Sequence, residues 1–126
     1  MIKGLQQISM IVSSEKSVAF YKMLGFNERF RKERGYDTVV VLEGFDFKLL
    51  MFVDPKHPVR ATNPEALGFR NFVLQADDLE KTMEEIKTRA EESGQCIEFG
   101  PIQSDWHGAR FVFLCDPDGL NIGLHE

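Results

Sequence analysis

The chain has 126 residues, of which 43% are hydrophobic and 28% charged, and its formal net charge is -5. This length suits one domain, which can bury about two-thirds of its unfolded surface and needs no disulfide or metal staple. The negative charge argues against a nucleic-acid partner, whose phosphates require a basic surface. No apolar run has the length that crosses a bilayer and the first residues do not read as a signal peptide, so we expect no membrane partner.

The chain contains two cysteines, Cys96 and Cys115, and both lie in apolar, strand-like contexts. Two cysteines in such contexts predict buried free thiols in a reducing compartment. We therefore expect a cytoplasmic protein.

The first half predicts a strand, a helix and three further strands. Ser13 or Ser14 caps the helix, Glu15 occupies its first turn, and Gly25 follows its last residue. Glu43-Gly44 is read as the turn before the last strand. The predicted strands span residues 5–12, 26–30, 37–42 and 45–53.

A linker then precedes a second half with the same order of elements. Residues 55–66 contain three prolines and little apolar material, which is typical of a linker. Asp77 or Asp78 caps the second helix, which ends near Glu91 and Gly94. The predicted strands of this half span residues 69–74, 96–99, 109–114 and 120–124.

The last two strands flank the turn Asp116-Pro117-Asp118-Gly119. Asp116 can accept hydrogen bonds from the turn backbone, Pro117 presets φ, and Gly119 can adopt a positive φ. The turn therefore predicts an antiparallel hairpin with Asn121, Gly123 and His125 on one face.

Each half is thus a strand–helix–strand–strand–strand module, and the sequence predicts an α+β fold. Module 1 spans residues 1–54 and module 2 spans residues 67–126. Strands that pack one face on a helix leave the other face free, so the two modules are expected to form a curved mixed sheet with a cleft. A ferredoxin-like domain has too few strands to compete. The side chains expected along the cleft wall are those of Gln7, Ser9, Leu49, Met51, Val53, Asn71, Val73, Asn121 and Gly123.

These segments resemble the vicinal oxygen chelate superfamily, which includes glyoxalase I, extradiol dioxygenases, fosfomycin-resistance enzymes and bleomycin-resistance proteins. The resemblance spans nearly the whole chain. The segments that carry it are Leu5-Gln6-Gln7-Ile8, Ser17-Val18-Ala19-Phe20-Tyr21 with Leu24-Gly25-Phe26, Gly68-Phe69-Arg70-Asn71-Phe72-Val73 with Asp77-Asp78-Leu79, and Phe113 with Asp116-Pro117-Asp118-Gly119.

In metal-dependent members, the resemblance implies four inward metal ligands, one on the first and last strand of each module. Those positions are read here as Gln7, Met51, Asn71 and Gly123, with Leu49 as the alternative to Met51. Two amides, a thioether and a glycine do not supply the imidazole, carboxylate or thiolate donors that a catalytic metal requires. We therefore expect no metal and no other cofactor.

One loop of the second half resembles a pocket border of bleomycin-resistance-like members. Trp106 can stack on a planar ligand, and His107 can contact it or move protons near neutral pH. Arg110-Phe111 matches the arginine-aromatic pair that follows this loop in those members. The alternative is that Trp106 packs on the loop and His107 is solvent-exposed.

The sequence thus predicts a small organic ligand bound in the cleft by Gln7, Ser9, Met51, Asn71, Val73, Trp106, His107, Arg110, Asn121 and Gly123. The alternative is a metal-dependent lyase, isomerase or dioxygenase in which His107 or His125 adds a ligand to Gln7. A third reading is a decayed pocket in which only a dimer surface matters. By analogy with two-module members of the superfamily, we expect a homodimer.

Overall fold

The computed structural model describes residues 1–58 and 67–126, and each range forms its own compact unit. Each unit contains one helix and a four-stranded mixed sheet. This confirms the predicted α+β fold of tandem modules. Most of the predicted linker, residues 59–66, lies outside the described residues.

In the first unit, the sheet has the order β1-β4-β3-β2, with β1 parallel to β4 and the other pairs antiparallel. The crossover through the helix is what allows β1 to lie parallel to a later strand. The elements are β1 (Gln7–Val12), α1 (Glu15–Leu24), β2 (Asn27–Glu33), β3 (Thr38–Gly44) and β4 (Phe47–Val53).

The helix α1 begins and ends where the sequence predicts. Of the two candidate caps, Ser14 is the N-cap, and its side chain accepts a hydrogen bond from the Lys16 amide at 3.2 Å. Gly25 closes the helix at φ 122°, and its N–H donates to the Lys22 carbonyl at 3.0 Å. Side chains such as Phe20 and Tyr21 are buried and anchor the helix in the core of this unit.

The turn before β4 lies two positions later than predicted. Glu43 and Gly44 remain in β3, and the chain reverses at Phe45 and Asp46, which have φ values of 52° and 67°. Two consecutive positive φ values are typical of the two-residue hairpin turns that match strand twist.

In the second unit, the sheet has the order β5-β8-β7-β6, with β5 parallel to β8. Asp78 is the N-cap of the helix, and its carboxylate accepts from the Lys81 amide at 3.0 Å. The elements are β5 (Phe72–Gln75), α2 (Leu79–Glu92), β6 (Gln103–Ser104), β7 (Arg110–Cys115) and β8 (Asn121–His125).

The strand predicted at residues 96–99 is wrong. Phe99 forms a single bridge to Leu114, and the edge strand is instead β6. Pro101 follows closely, and because proline has no amide hydrogen it cannot continue a ladder. The edge of the sheet is taken by Gln103–Ser104, which pairs with β7 across a short hairpin.

The turn at residues 116–119 is confirmed. Gly119 has φ 86°, and its N–H donates to the Asp116 carbonyl at 3.0 Å. The Asp116 carboxylate is 5% exposed and accepts from the amides of Asp118 and Leu120 at 2.9 and 2.8 Å. The following strand β8 places the apolar Ile122 and Leu124 in the core of this unit.

Both cysteines are free thiols, as predicted, but the prediction that they are buried is wrong. Cys96 lies in the segment after α2, and Cys115 is the last residue of β7 on the face opposite Leu114. Both side chains are exposed. Among the described residues, no helix has the length and apolar character needed to span a membrane.

Candidate functional site

The second unit carries an open pocket of about 460 Å³ on the sheet face opposite Ile122 and Leu124. Three of its residues were expected in the site, namely Val73, Trp106 and Gly123. The other lining residues are not among the predicted ligand-binding residues, although the sequence predicts His125 on the strand face of Gly123 and Phe111 in the arginine-aromatic pair. The lining residues are Val73, Ser104, Asp105, Trp106, Phe111, Phe113, Gly123 and His125.

The floor of this pocket is a row of three residues on adjacent strands. Gly123 of β8 pairs with Val73 of β5 on one side and with Phe113 of β7 on the other. A Cβ atom added to Gly123 would lie 2.9 Å from Val73 Cγ2 and 3.2 Å from Phe113 Cε1. The neighbouring side chains thus lean over the glycine, and a larger residue there would have to displace them.

One end of the pocket is closed by an ion pair between His125 and Asp105. The His125 Nε2 lies 2.9 Å from Asp105 Oδ2, and its Nδ1 lies 2.6 Å from the main-chain oxygen of Glu126. The imidazole also stacks on Phe111, with ring centroids 5.9 Å apart and an interplanar angle of 4°. Both ring nitrogens therefore already have oxygen partners.

Asp105 also organises the loop between β6 and β7. Its Oδ1 accepts from the amides of His107 and Ala109 at 2.8 and 3.0 Å, and its carbonyl accepts from Gly108 at 3.1 Å. Burial on its own would raise the pKa of Asp105, but the two amides and His125 together hold it below its usual value. Asp105 is therefore a carboxylate that fixes this loop.

Trp106 lies in this loop, at the border of the pocket, and its side chain is exposed to solvent. The Trp106 side chain is 95% exposed, and it lines the pocket. The neighbouring His107 is exposed and does not line it. Trp106 therefore borders the pocket and His107 does not, and the contact of Trp106 with a ligand stays a prediction.

Arg110 does not lie at the pocket, contrary to expectation. Its guanidinium pairs with Glu80 and Glu126, with Arg110 Nε 2.8 Å from Glu126 Oε1 and Arg110 Nη2 2.8 Å from Glu80 Oε2. The hydrogen bond from Arg110 lowers the pKa of Glu80 to about 2 and also lowers the pKa of Glu126. Arg110 therefore joins the first turn of α2 to the ends of β7 and β8.

Gln7 and Ser9 of β1 are exposed on one face of the first sheet, as predicted, but Met51 is not on that face. The register pairs Ser9 with Leu50, whereas Met51 pairs with Met10. Met51 is fully buried, and so is Leu49, the alternative position. The prediction that Met51 and Leu49 lie on the cleft wall is therefore wrong. The same prediction is wrong for Val53, which pairs with the buried Val12.

The two predicted asparagines do not line the pocket. Asn121 is exposed at the start of β8, and its Oδ1 accepts from the Cys115 thiol at 3.0 Å. Asn71 is half-buried and precedes β5. That these two side chains, together with Gln7 and Ser9, contact one ligand stays a prediction.

The residues at the family's metal-ligand positions do not fit a transition metal. Gln7 and Asn71 offer neutral amide oxygens, and Gly123 offers no side chain and has no room for one. On the face of Gln7, β4 presents Leu50. Within residues 1–58 and 67–126, no group of three or more His, Cys, Asp or Glu side chains is arranged to hold a metal ion.

Another depression, of about 520 Å³, lies in the first unit. It is bordered by the segment that precedes β1 and by charged side chains of both signs. Its charged members are Lys3, Glu43, Asp46 and Lys48. The pocket of the second unit is the better candidate, because ligand sites are mainly apolar and contain few oriented polar groups.

Two bacterial relatives align with the chain over nearly their full length. YwkD, an uncharacterized protein of Bacillus subtilis, is 40% identical, and the alignment covers 100% of this chain and 98% of YwkD. YaeR, an uncharacterized protein of Escherichia coli, is 30% identical over 98% of both chains. No protein-family model matches the sequence.

Solved structures identify the family to which this fold belongs. A glyoxalase family protein from Enterococcus faecalis is 27% identical and superposes with a TM-score of 0.87 over 98% of both chains. A lactoylglutathione lyase from Agrobacterium tumefaciens is 26% identical, with a TM-score of 0.67 over 99% of this chain and 94% of the lyase. TnmS3, an antibiotic binding protein from a Streptomyces species, is 26% identical, with a TM-score of 0.64 over 98% and 95% of the two chains. The chain therefore belongs to the glyoxalase/bleomycin resistance/dioxygenase superfamily, the vicinal oxygen chelate superfamily that its segments resemble.

Proposed function

We propose that this protein binds a small, largely apolar organic molecule in the pocket of its second unit, without a metal ion. The observation that carries the proposal is the pocket of about 460 Å³ between the loop of Trp106 and the row of Val73, Gly123 and Phe113. Its volume lies within the range of small-molecule sites.

The chemistry of the lining favours a flat, carbon-rich ligand. Phe111, Phe113 and Trp106 offer ring faces and edges, which hold planar molecules by stacking and by apolar contact. The polar groups at one end, Asp105 and His125, are already hydrogen-bonded to each other. Binding therefore depends mainly on apolar surface and shape.

The comparisons support binding as a function of this fold. TnmS3 is an antibiotic binding protein and shares 26% of its residues with this chain. The fold alone does not decide between binding and catalysis, because one scaffold hosts several chemistries. The donor set of this chain supports binding, since two amides and a glycine would leave the metal of a lyase without charged ligands.

Ligand screening by thermal shift and calorimetry tests this proposal. A panel of planar aromatic and peptide-like compounds, with 8-anilinonaphthalene-1-sulfonate as a fluorescent reporter, is expected to contain at least one compound that raises the melting temperature.

Phe113→Ala should weaken the binding of that compound about tenfold because a pocket ring is lost. Phe30→Ala is the matched control, since Phe30 is an exposed ring of β2 in the other unit. Equal weakening by both variants, or no binder at all, contradicts the proposal.

We also propose that the protein is cytoplasmic and forms a homodimer. Its free thiols support a reducing compartment, even though both are exposed. Light scattering coupled to size-exclusion chromatography tests the dimer. A mass of one chain at micromolar concentration would contradict it.

A further inference from the structure

We infer that His125 and Asp105 are positioning residues that hold the Trp106 loop in place and thereby set the shape of the pocket. A histidine–aspartate pair beside a pocket resembles a catalytic dyad. The contacts of this pair point instead to a fixed brace between β8 and the loop. That the brace controls binding rests on the proposed function.

The imidazole of His125 has no nitrogen left for a substrate. Nε2 faces Asp105 Oδ2 and Nδ1 faces the main-chain oxygen of Glu126, at 2.9 and 2.6 Å. Both partners are oxygen atoms of the chain itself, so each ring nitrogen is already occupied by an internal contact.

Both oxygens of the Asp105 carboxylate also have hydrogen-bond partners. One oxygen accepts from the His107 and Ala109 amides, and the other accepts from His125. The first set of bonds defines the turn that carries Trp106, and the second ties that turn to a strand of the sheet. Asp105 thus links the local shape of the loop to a position 20 residues away in sequence.

Within the described residues, the other hydrogen bonds of the loop tip all lie inside the loop. The Trp106 side chain is 95% exposed, and the loop closes on itself through the Gly108 to Asp105 and Asp105 to Ala109 hydrogen bonds. Bonds within the loop shape the turn, but they do not hold the Asp105 carboxylate against the sheet. The bond from His125 supplies that constraint, and charge-assisted bonds are the stronger kind.

Amide hydrogen exchange of the ligand-free protein tests the brace directly. The variant His125→Phe keeps a ring to stack on Phe111 but removes both donors. We expect the His107 and Ala109 amides to exchange about tenfold faster, because their acceptor is released. Amides of the sheet core, such as that of Leu114, should keep their rates. Trp106 is the one tryptophan of the chain, so its emission anisotropy should fall in the same variant.

Two further variants separate positioning from general destabilisation. His125→Gln retains a side-chain N–H that can reach Asp105, and it should restore slow exchange. His57→Phe is the matched control, because His57 forms a similar pair with Asp54 at 3.4 Å in the other unit. Unchanged exchange in His125→Phe, or equal acceleration in His57→Phe, overturns the inference.

Binding of 8-anilinonaphthalene-1-sulfonate tests the consequence for the pocket. His125→Phe should weaken this probe severalfold, and His125→Gln should restore its binding. One outcome is that the loop amides of His125→Phe exchange faster while the variant binds the probe as well as wild type does. That result overturns the inference that the brace controls the pocket. If neither this probe nor any panel compound binds the wild type, the proposed function fails, and the exchange rates alone support or overturn the positioning role.

Discussion

At the scale of single residues, Gly123 forms part of the floor of the pocket in the second unit. It occupies the position where the resemblance implies a metal-binding carboxylate, and the side chains of Val73 and Phe113 lean over it. The absence of a side chain leaves room that the side chains of Val73 and Phe113 occupy. A position that contributes a metal ligand elsewhere in the superfamily therefore contributes part of an apolar pocket here.

The crowding around Gly123 predicts a non-additive pair of substitutions. Gly123→Ala should lower the free energy of unfolding by about 1–2 kcal/mol, because the new Cβ overlaps Val73 Cγ2. Val73→Ala removes the methyl groups in question, so the double variant should lose less than the sum of the two single variants. Urea denaturation of the wild type, the two single variants and the double variant measures this double-mutant cycle. Strict additivity would contradict the described contact.

Asp116 is the second residue whose role can be tested alone. Its carboxylate accepts two amide hydrogen bonds in the β7–β8 turn and is 5% exposed. Asp116→Ala leaves these donors without their partner, which should cost about 1–3 kcal/mol in unfolding free energy. Asp77→Ala, at an exposed aspartate before α2, is the control and should change it by less than about 0.5 kcal/mol.

At the scale of elements, caps and ion pairs fix the helices against the sheets. Ser14 and Asp78 cap α1 and α2. Arg110 then joins the first turn of α2 to the end of the sheet through Glu80 and Glu126. The Leu79 amide also donates to the Glu126 carboxylate at 3.1 Å, which anchors the same helix end.

The cap of α1 predicts a selective loss of stability. Ser14→Ala should lower the free energy of unfolding by about 1 kcal/mol, because the Lys16 amide loses its acceptor. Ser14→Asp should retain most of the stability, since aspartate is also a good N-cap residue. Urea denaturation distinguishes these variants. Equal losses for alanine and aspartate would argue against capping by this side chain.

The Arg110 network predicts a dependence of stability on acidic pH. The pKa of Glu80 is lowered from 4.5 to about 2 by Arg110, so its contribution is present above pH 4.5 and is lost as pH falls toward 2. The stability difference between wild type and Arg110→Met should therefore shrink over that range. Arg89→Met is the control, because Arg89 pairs with exposed Glu85 at 4.0 Å. A difference that stays constant from pH 5 to pH 2 would contradict this role of Arg110.

At the scale of the whole molecule, both modules keep the architecture of the superfamily, whereas the metal donors are replaced. The sheets of the two units have the same order, with a first strand parallel to the last strand of the unit. Packing of the buried faces requires this order, but it does not require a metal ligand. The architecture can therefore persist while the chemistry changes.

The loss of donors predicts that the purified protein is metal-free. Protein purified without a histidine tag should contain less than about 0.1 equivalent of nickel, zinc or iron, because no group of charged donors in residues 1–58 and 67–126 is arranged to balance the ion. Chelator treatment should leave its melting temperature unchanged. Stoichiometric metal that is lost in Gln7→Ala would support the metal-dependent lyase, isomerase or dioxygenase and would overturn the proposed function.

Local patterns in the sequence determined the modules, the helices and the turn at Asp116 to Gly119. Each depends on residues that are neighbours in the chain, such as a cap three residues from its partner amide or a glycine with positive φ. The superfamily was predicted from the resemblance of particular segments, such as Asp116-Pro117-Asp118-Gly119, and not from the repeat itself. The same local rules missed the edge strand β6, because a strand of two residues leaves almost no pattern.

Only the tertiary structure decided which face each β4 residue occupies and what closes the pocket. In Phe47–Val53 both faces are apolar, so alternation cannot tell Leu50 from Met51, and the pairing with β1 settles it. The contact of His125 with Asp105 joins residues 20 positions apart, which no local spacing rule predicts. The physical reason is that side-chain contacts across a sheet depend on strand register, and register is set by the packing of the whole unit.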